Sequence, residues 1–183
     1  MSKNGLHLIT PTSIASTGTG NSSSISANGS VTFSTCATLS LNGVFSADYD
    51  NYMVVMRSTP SVADNYRIRL RASGSDASGS DYVRQTIYAN GTSITAGRAT
   101  ETSNLLMQAY NTQRVGFILY CYGPHLAQPT ATRSVTAGDY TSADLYDVAA
   151  THSLSTQYDG FTFFPQTSGT TVTGLVAVYG MRK

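Results

Sequence analysis

Three arginines recur at alternate positions in the run 66–71, where they could bind an acidic group. Arg67, Arg69 and Arg71 alternate there with Tyr66, Ile68 and Leu70. In a β-strand this alternation places the apolar side chains on one face and the guanidinium groups on the other. A guanidinium binds a carboxylate through two parallel hydrogen bonds. The three arginines are therefore the predicted contact surface, for an acid-bearing protein neighbour, an acidic glycan or aspartates of the same chain.

The remaining reactive side chains lack the spacing that metal binding or catalysis needs. His7, His125 and His152 lie far apart, without Cys or Asp at ligand spacing, so no zinc site is predicted. The tandem pentapeptides 72–76 and 77–81 each end in Asp, but a calcium loop needs more acids, and we interpret them as a flexible loop. Neither a Gly-x-Ser-x-Gly elbow nor a phosphate-binding glycine loop is present. We predict no catalytic residue, no metal and no cofactor, and a chain that is not an enzyme.

The overall charge limits the class of partner. Charged residues make up 11% of the 183 residues, and the formal net charge is +1. A chain with so weak a field is not expected to bind nucleic acid. No apolar run is long enough for a membrane-spanning helix, so no membrane insertion is predicted. The N-terminus has no apolar signal core, which predicts synthesis in the cytoplasm without secretion.

The elements that must position these residues are short β-strands. Runs rich in Val, Thr and Tyr are separated by Ser, Gly, Asn and Asp turns, without a 3.6-residue periodicity. The predicted strands are 30–33, 37–41, 52–57, 66–72, 82–88, 105–109, 114–122, 131–135, 145–152, 161–164 and 172–180. This pattern predicts an all-β fold, a two-sheet antiparallel β-sandwich that is jelly-roll-like. Cys36 and Cys121 allow one disulfide at most, and buried free thiols are the preferred interpretation.

The first 35 residues differ from the rest in composition. Residues 10–30 are rich in Ser, Thr, Gly and Asn. Such a segment suits an arm and linker that dock onto a partner, and it suits equally an edge strand followed by a long loop. We predict residues 1–35 as an N-terminal arm, anchor and linker, and residues 36–183 as the β-sandwich domain. The apolar residues of the arm are its predicted partner contacts: Leu6, Leu8 and Ile9.

Two turns of similar sequence introduce predicted strands. Residues 46–55 and 155–164 both carry a Tyr-Asp pair ahead of alternating large apolar residues. Aspartate at a turn hydrogen-bonds its own backbone two residues further on. Asp50 and Asp159 are therefore predicted to fix the entry of their strands. The tyrosines at loop edges are predicted to cap the core, with sugar or partner contact as the alternative: Tyr49, Tyr88, Tyr110, Tyr140, Tyr146 and Tyr158.

The C-terminal region has the most distinctive pattern. It consists of a Tyr-Asp-Gly-Phe strand at 158–161, a Ser/Gly/Thr turn at 166–170 that predicts a hairpin, and a Val-x-Val-Tyr-Gly-x-Arg-Lys strand at 176–183. This ending resembles the C-terminal module of small virion proteins of tailed phages, especially marine and cyanobacterial ones. Blocks at 41–52 and 66–82 fit the same module, so the resemblance extends over most of the chain.

Proteins of this kind occur on tail fibres, on head fibres and as capsid decorations. The resemblance implies a non-enzymatic virion surface protein that is made in the host cytoplasm and assembles by protein–protein contacts as a homotrimer. Its role would be that of a capsid decoration or cement protein or of a short head fibre, bound to other virion proteins. The alternative is a tail-fibre adhesin for host attachment that recognises host surface glycans with its tyrosine-bearing loops. A free β-sandwich lectin is a third class, which would bind sugar without a virion.

Overall fold

The computed structural model describes residues 5–138 and 144–181, and this part of the chain is all-β. In chain order the strands are β1 (Leu6–Ile9), β2 (Ser13–Thr17), β3 (Ser22–Ile25), β4 (Val31–Cys36), β5 (Thr38–Asn42), β6 (Asn51–Pro60), β7 (Asp64–Ala72), β8 (Ser75–Asp76), β9 (Tyr82–Asn90), β10 (Ser93–Thr102), β11 (Leu105–Asn111), β12 (Val115–Tyr122), β13 (Thr130–Gly138), β14 (Asp144–His152), β15 (Gly160–Pro165) and β16 (Val172–Met181). Each of the strands predicted from the sequence overlaps one of these. The all-β prediction is confirmed.

The strands form two antiparallel sheets that face each other. The large sheet has the order β10-β9-β14-β13-β12-β6-β16-β4-β3, and β1 also pairs with β16. The small sheet has the order β11-β7-β15-β5-β2, and the short β8 pairs with β7. The two-sheet antiparallel sandwich is therefore confirmed. The predicted hairpin of β15 and β16 is wrong, because these strands belong to different sheets and residues 166–171 cross between them.

The core lies between the sheets and consists of alternate residues of their strands. On β7, Tyr66, Ile68 and Leu70 are at most 1% exposed, as the alternation predicted. The Tyr66 ring meets the ring of Phe163 from β15 edge-on, with their centroids 4.9 Å apart. Burying one such side chain stabilises the fold by about 1.5–3 kcal/mol. This packing presents the other residues of β7, the arginines, to the outer side of the small sheet.

The described part of the predicted arm, residues 5–35, is built into the sandwich rather than forming an arm and linker. β1 pairs with the end of β16, β2 pairs with β5, and β3 pairs with β4. The predicted boundary after residue 35 falls inside β4. The Ser and Thr side chains that resembled a linker hydrogen-bond across strands instead, as in the pair Thr17 Oγ1–Thr38 Oγ1 at 2.7 Å. Of the two predictions for this segment, the edge strand is the one that matches.

The last strand, β16, is not an edge strand. It lies between β6 on one side and β4 and β1 on the other, and its register with β6 is unbroken over the whole of Val172–Met181. Its pairing with β1 brings Met181 opposite Leu6, so the two ends of the described chain lie side by side.

Candidate functional site

The three predicted contact arginines of β7 have different surroundings. Arg71 is bound within the chain: it forms an ion pair with Asp76 of β8, and it donates to Thr162 Oγ1 at 2.8 Å and Asn42 Oδ1 at 3.0 Å. Its side chain is 12% exposed. For Arg71 the intramolecular interpretation is the one that matches, because the β7–β8 hairpin places Asp76 directly opposite it.

Asp159 has a different role from the one predicted. Its Oδ2 accepts a hydrogen bond from the backbone N–H of Ser73 at 2.9 Å, in the turn between β7 and β8. Ser73 has a left-handed φ of 51°, which a residue other than glycine adopts at a cost. Asp159 therefore holds a distant turn, whereas its own backbone oxygen accepts from Val44 N.

The backbone of Asp50 tethers the start of β6. Its carbonyl oxygen accepts a hydrogen bond from Gly123 N at 2.9 Å. This bond joins the entry of β6 to the turn that follows β12. A strand-entry role for the Asp50 side chain remains a prediction.

Arg67 and Arg69 line a groove beside β7, together with a third arginine, Arg84, from β9. We call this the arginine groove; it has a volume of about 530 Å³. Its lining residues are Arg67, Arg69, Ser80, Arg84, Thr102, Ser103, Asn104, Phe164 and Gln166. They come from β7, from β9 and the loop before it, from the end of β10 and the turn after it, and from the end of β15 and the residue after it. The groove therefore lies where the chain crosses from the large sheet to the small one.

Arg69 is fixed in place by its neighbours in this groove. Its Nε donates to the backbone oxygen of Ser103 at 3.0 Å. Its guanidinium carbon lies 4.8 Å from the centroid of the Phe164 ring, a cation–π contact. Arg69 thus ties the β10–β11 turn to the outer side of β7 and gives the groove its shape.

Arg67 and Arg84 carry charge that is poorly compensated. Arg67 contacts the Gln166 side-chain oxygen, but its Nη1 is buried without a partner among the described residues. Burial, and second the positive charge of Arg84, lower the pKa of Arg67 to about 10. Burial also lowers the pKa of Arg84. An unpartnered buried N–H on a charged group costs about 1–3 kcal/mol or more, which a bound anion would recover.

The carboxylate that acts on Arg67 most directly, Asp64, is bound by other groups. It is 2% exposed and accepts hydrogen bonds from Thr167 N at 2.7 Å, Asn65 N at 2.8 Å and Thr167 Oγ1 at 3.1 Å. Its oxygens are therefore occupied in closing the turn after β15. Among the described lining residues, the charged side chains are the three arginines.

A second candidate surface is the outer side of the large sheet, on which two adjacent rows of cross-strand partners are mostly apolar. We call these two rows the apolar face. The first row runs over seven strands: Ala177, Val55, Ile118, Val135, Asp147, Ile87 and Ala96. The second row is Leu175, Arg57, Gly116, Ala137, Leu145, Ala89 and Ile94.

Large side chains on the apolar face remain open to solvent. Ile94 is 77% exposed, Ile87 52% and Leu145 46%. The single acid in the first row is compensated, because Asp147 Oδ2 lies 2.6 Å from Arg133 Nη2. The Arg133 hydrogen bonds hold the pKa of Asp147 below its usual value. Exposed apolar surface of this extent is typical of an interaction site.

Of the predicted partner contacts in β1, one is exposed to solvent and two are half-buried. Leu6 is 51% exposed. Leu8 and Ile9 are half-buried, and Ile9 packs against the core. They pair with Tyr179 and Val178, so these residues belong to the edge of the large sheet beside the apolar face. Partner contact through this strand remains a prediction.

Most of the loop tyrosines that were singled out cap the core. Tyr146 and Tyr158 are buried, and Tyr88 stacks on Tyr146 with a centroid distance of 4.4 Å. Tyr49 packs half-buried against His7 at 6.2 Å. Tyr140 and the side chain of Tyr110 lie outside the described residues. Among the described residues, the tyrosines of this set therefore offer little of the sugar-contact surface that the adhesin alternative assigned to them.

The two cysteines and one of the histidines are buried in the interior of the sandwich. Cys36 and Cys121 are buried free thiols, and burial raises the pKa of Cys121 to about 12. His152 is buried against the Tyr82 ring at 4.2 Å, and burial lowers its pKa. Over residues 5–138 and 144–181, no group of His, Cys, Asp or Glu is placed to hold a metal ion. In the same ranges no helix is long and apolar enough to cross a membrane.

Sequence reasoning missed Arg84, Ser103, Asn104, Phe164 and Gln166. Arg84 lies on the same face of β9 as the buried residues Tyr82 and Thr86, so the alternation of this strand did not identify it as a binding residue. The other residues lie in or beside turns, and only the crossing of the chain between sheets brings them to Arg67.

No family model and no curated protein matches the chain. Solved structures that align with most of it include the basic winged bean lectin with Tn-antigen, at 6% identity and a TM-score of 0.25, covering 96% of this chain and 99% of that one. Lectin II from Ulex europaeus aligns at 8% identity and a TM-score of 0.25, covering 91% of this chain and 95% of that one. Likeness of this degree carries no argument about function.

Proposed function

We propose that this protein is a non-enzymatic surface protein of a tailed-phage particle, a capsid decoration or a short head fibre, that assembles through protein–protein contacts. The phage context rests on the resemblance of residues 39–183 to small virion proteins. The assembly role is supported by one structural observation, the apolar face of the large sheet. The subunits pack as a homotrimer and bind neighbouring virion proteins.

The apolar face is large enough to contribute to a stable contact. Strands in a sheet are about 4.8 Å apart, so seven of them span roughly 29 Å, and two rows of side chains cover roughly 13 Å along the strands. The resulting patch of roughly 400 Å² is about half of what one partner buries in a standard interface. With a net charge of only +1, copies of the chain do not repel each other strongly.

A matched pair of leucines tests the assembly surface. Leu145 lies in the apolar face and is 46% exposed, whereas Leu154 lies in the segment after β14 and is 44% exposed. We expect the wild-type chain to elute in light-scattering chromatography at three times its 19.4 kDa mass. Leu145→Lys should shift it to the monomer, and Leu154→Lys should leave the trimer intact. A monomeric wild type, or equal behaviour of the two variants, would overturn assembly through this face.

The location of the protein is tested on native particles with antibody-gold against this chain. Label spread over the head is the expected result and supports a decoration or head fibre. Label confined to the tail would replace this role by the adhesin alternative. Particles without label would overturn the virion proposal as a whole.

The second candidate function, a tail-fibre adhesin that recognises host surface glycans, is favoured by a separate observation. The arginine groove lies at the crossing between sheets and carries positive charge that the described residues compensate only in part. A groove of this kind is unnecessary for packing through the apolar face, which is formed by other residues.

A further inference from the structure

We propose that the arginine groove binds an anionic saccharide, with a sugar carboxylate of the uronic-acid type held between Arg67 and Arg84. This inference deepens the adhesin alternative and rests on it only for the biological source of the saccharide. The binding itself is a property of the isolated chain.

The positive charge of the groove is the first argument. Among the described residues Arg67 Nη1 is buried without a partner, and Arg84 lines the same groove with no acidic side chain among the lining residues. Burial, and second the charge of Arg84, act against the charged form of Arg67 and lower its pKa. A carboxylate between them would accept hydrogen bonds from both groups and offset their repulsion. The two arginines are thus placed to share one anion.

The other lining groups are suited to hydroxyls. Asn104 Nδ2 donates weakly to the Ser103 hydroxyl at 3.3 Å, so both side chains can rearrange around a ligand. The Gln166 oxygen contacts Arg67, which leaves the Gln166 side-chain NH₂ as a donor. A sugar ring displays alternating donors and acceptors that such neutral groups bind. The volume of about 530 Å³ lies within the usual range for small-ligand sites.

The groove is also preorganised. The contacts of Arg69 with Ser103 and Phe164 fix the β10–β11 turn before any ligand arrives. A rigid site avoids the entropy cost of ordering the turn on binding. The Phe164 ring provides one apolar surface against which the carbon side of a sugar could pack.

Two other polyanions fit less well. Nucleic acid binds through long-range charge, and this chain has a net charge of only +1. An acidic polypeptide would need apolar contacts for its side chains, and Phe164 is the one apolar residue among the described lining. The polypeptide is therefore a competing outcome that the experiment must separate.

The test is calorimetric titration of the purified chain with an oligogalacturonate. A neutral galacto-oligosaccharide of equal length and an oligoglutamate with the same number of carboxylates serve as comparison ligands. We expect binding of the oligogalacturonate alone, and affinity reduced about tenfold or more in Arg67→Gln and in Arg84→Gln. Arg98→Gln removes the same charge from an exposed position of β10 outside the groove, and it should bind like wild type.

Several results would overturn the proposal. They are the absence of binding by the wild-type chain, equal loss in Arg98→Gln and the groove variants, and equal affinity for oligoglutamate. Circular dichroism establishes that each variant is folded. Gold label on the head together with oligogalacturonate binding would retain both the virion role and the groove. Binding without any label would retain the groove proposal and refute the virion role. Label without binding would retain the virion role and refute the groove proposal.

Discussion

Replacing Asp159 shows how much one distant carboxylate contributes to the β7–β8 turn. Ser73 holds a left-handed φ of 51° in this turn, which costs a non-glycine residue about 1–2 kcal/mol. Asp159 Oδ2 accepts from Ser73 N at 2.9 Å and offsets that cost. A hydrogen bond to a charged group contributes about 1.5–3 kcal/mol. Because Ser73 is exposed, we expect Asp159→Ala to lower the free energy of unfolding by about 1–2 kcal/mol.

Asparagine at the same position separates the hydrogen bond from the charge. Asp159 Oδ1 is buried without a partner among the described residues, so a carboxylate is not ideal for this environment. Asn keeps an oxygen that accepts from Ser73 N and replaces the charged group by a neutral one. We therefore expect Asp159→Asn to cost about half as much as Asp159→Ala, or less.

Thermal unfolding followed by circular dichroism measures both variants. In a domain of this size 1 kcal/mol changes Tm by about 2–4 °C, so Asp159→Ala should lower it by about 2–8 °C. Asp48→Ala is the control, because the Asp48 side chain is exposed and bonded only locally to Ser46. If asparagine destabilised the protein as much as alanine, the negative charge rather than the Ser73 bond would hold the turn.

Three further perturbations have expected outcomes. Gly160→Ala should cost more than about 2 kcal/mol, because the new Cβ would clash with a carbonyl oxygen of β5. In Gly97→Ala the Cβ meets no atom within 4 Å, so chemical denaturation should show almost no change. Arg71→Met should lower the free energy of unfolding by about 2 kcal/mol, because it leaves Asp76 without its ion pair. The double variant Asp76→Asn Arg71→Met has no unpaired carboxylate and should lose less; an equal or larger loss in the double variant would contradict this reasoning. Burial lowers the pKa of His152, so below about pH 6.5 the unfolded chain binds more protons than the native one. Stability should therefore fall as the pH drops from 7.5 to 5.5, and a similar pH slope in His152→Gln would refute this assignment.

The sequence was sufficient to predict the strands whose apolar residues alternate. β7 is the clearest case, since Tyr66, Ile68 and Leu70 proved to be buried as predicted. β2 and β3 were missed because their Ser and Thr residues form the same pattern in a linker and in an edge strand. The distinction lies in the partner strand, where hydroxyl groups meet hydroxyl groups, and no local pattern specifies that partner.

The groove could be predicted only in part. The alternation of β7 identified Arg67, Arg69 and Arg71 as outward-facing, but it could not tell which of them is neutralised. The answer depends on the β8 hairpin, which brings Asp76 to Arg71, whereas Arg67 shares its groove with Arg84. Contacts between distant parts of the chain decide the local charge, and a pattern within one strand does not contain them.

The central position of β16 has a consequence for how the protein folds. β1, β4 and β6 all pair with β16, which is synthesised after them, and Leu6 pairs with Met181. Such long sequence separations make folding slow. While the C-terminal segment is still inside the ribosome, β6 and β4 expose unpaired edges and cannot form the complete large sheet. The large sheet should therefore be completed only after β16 has left the ribosome, and any truncation within β16 should yield an aggregation-prone product instead of a smaller folded domain.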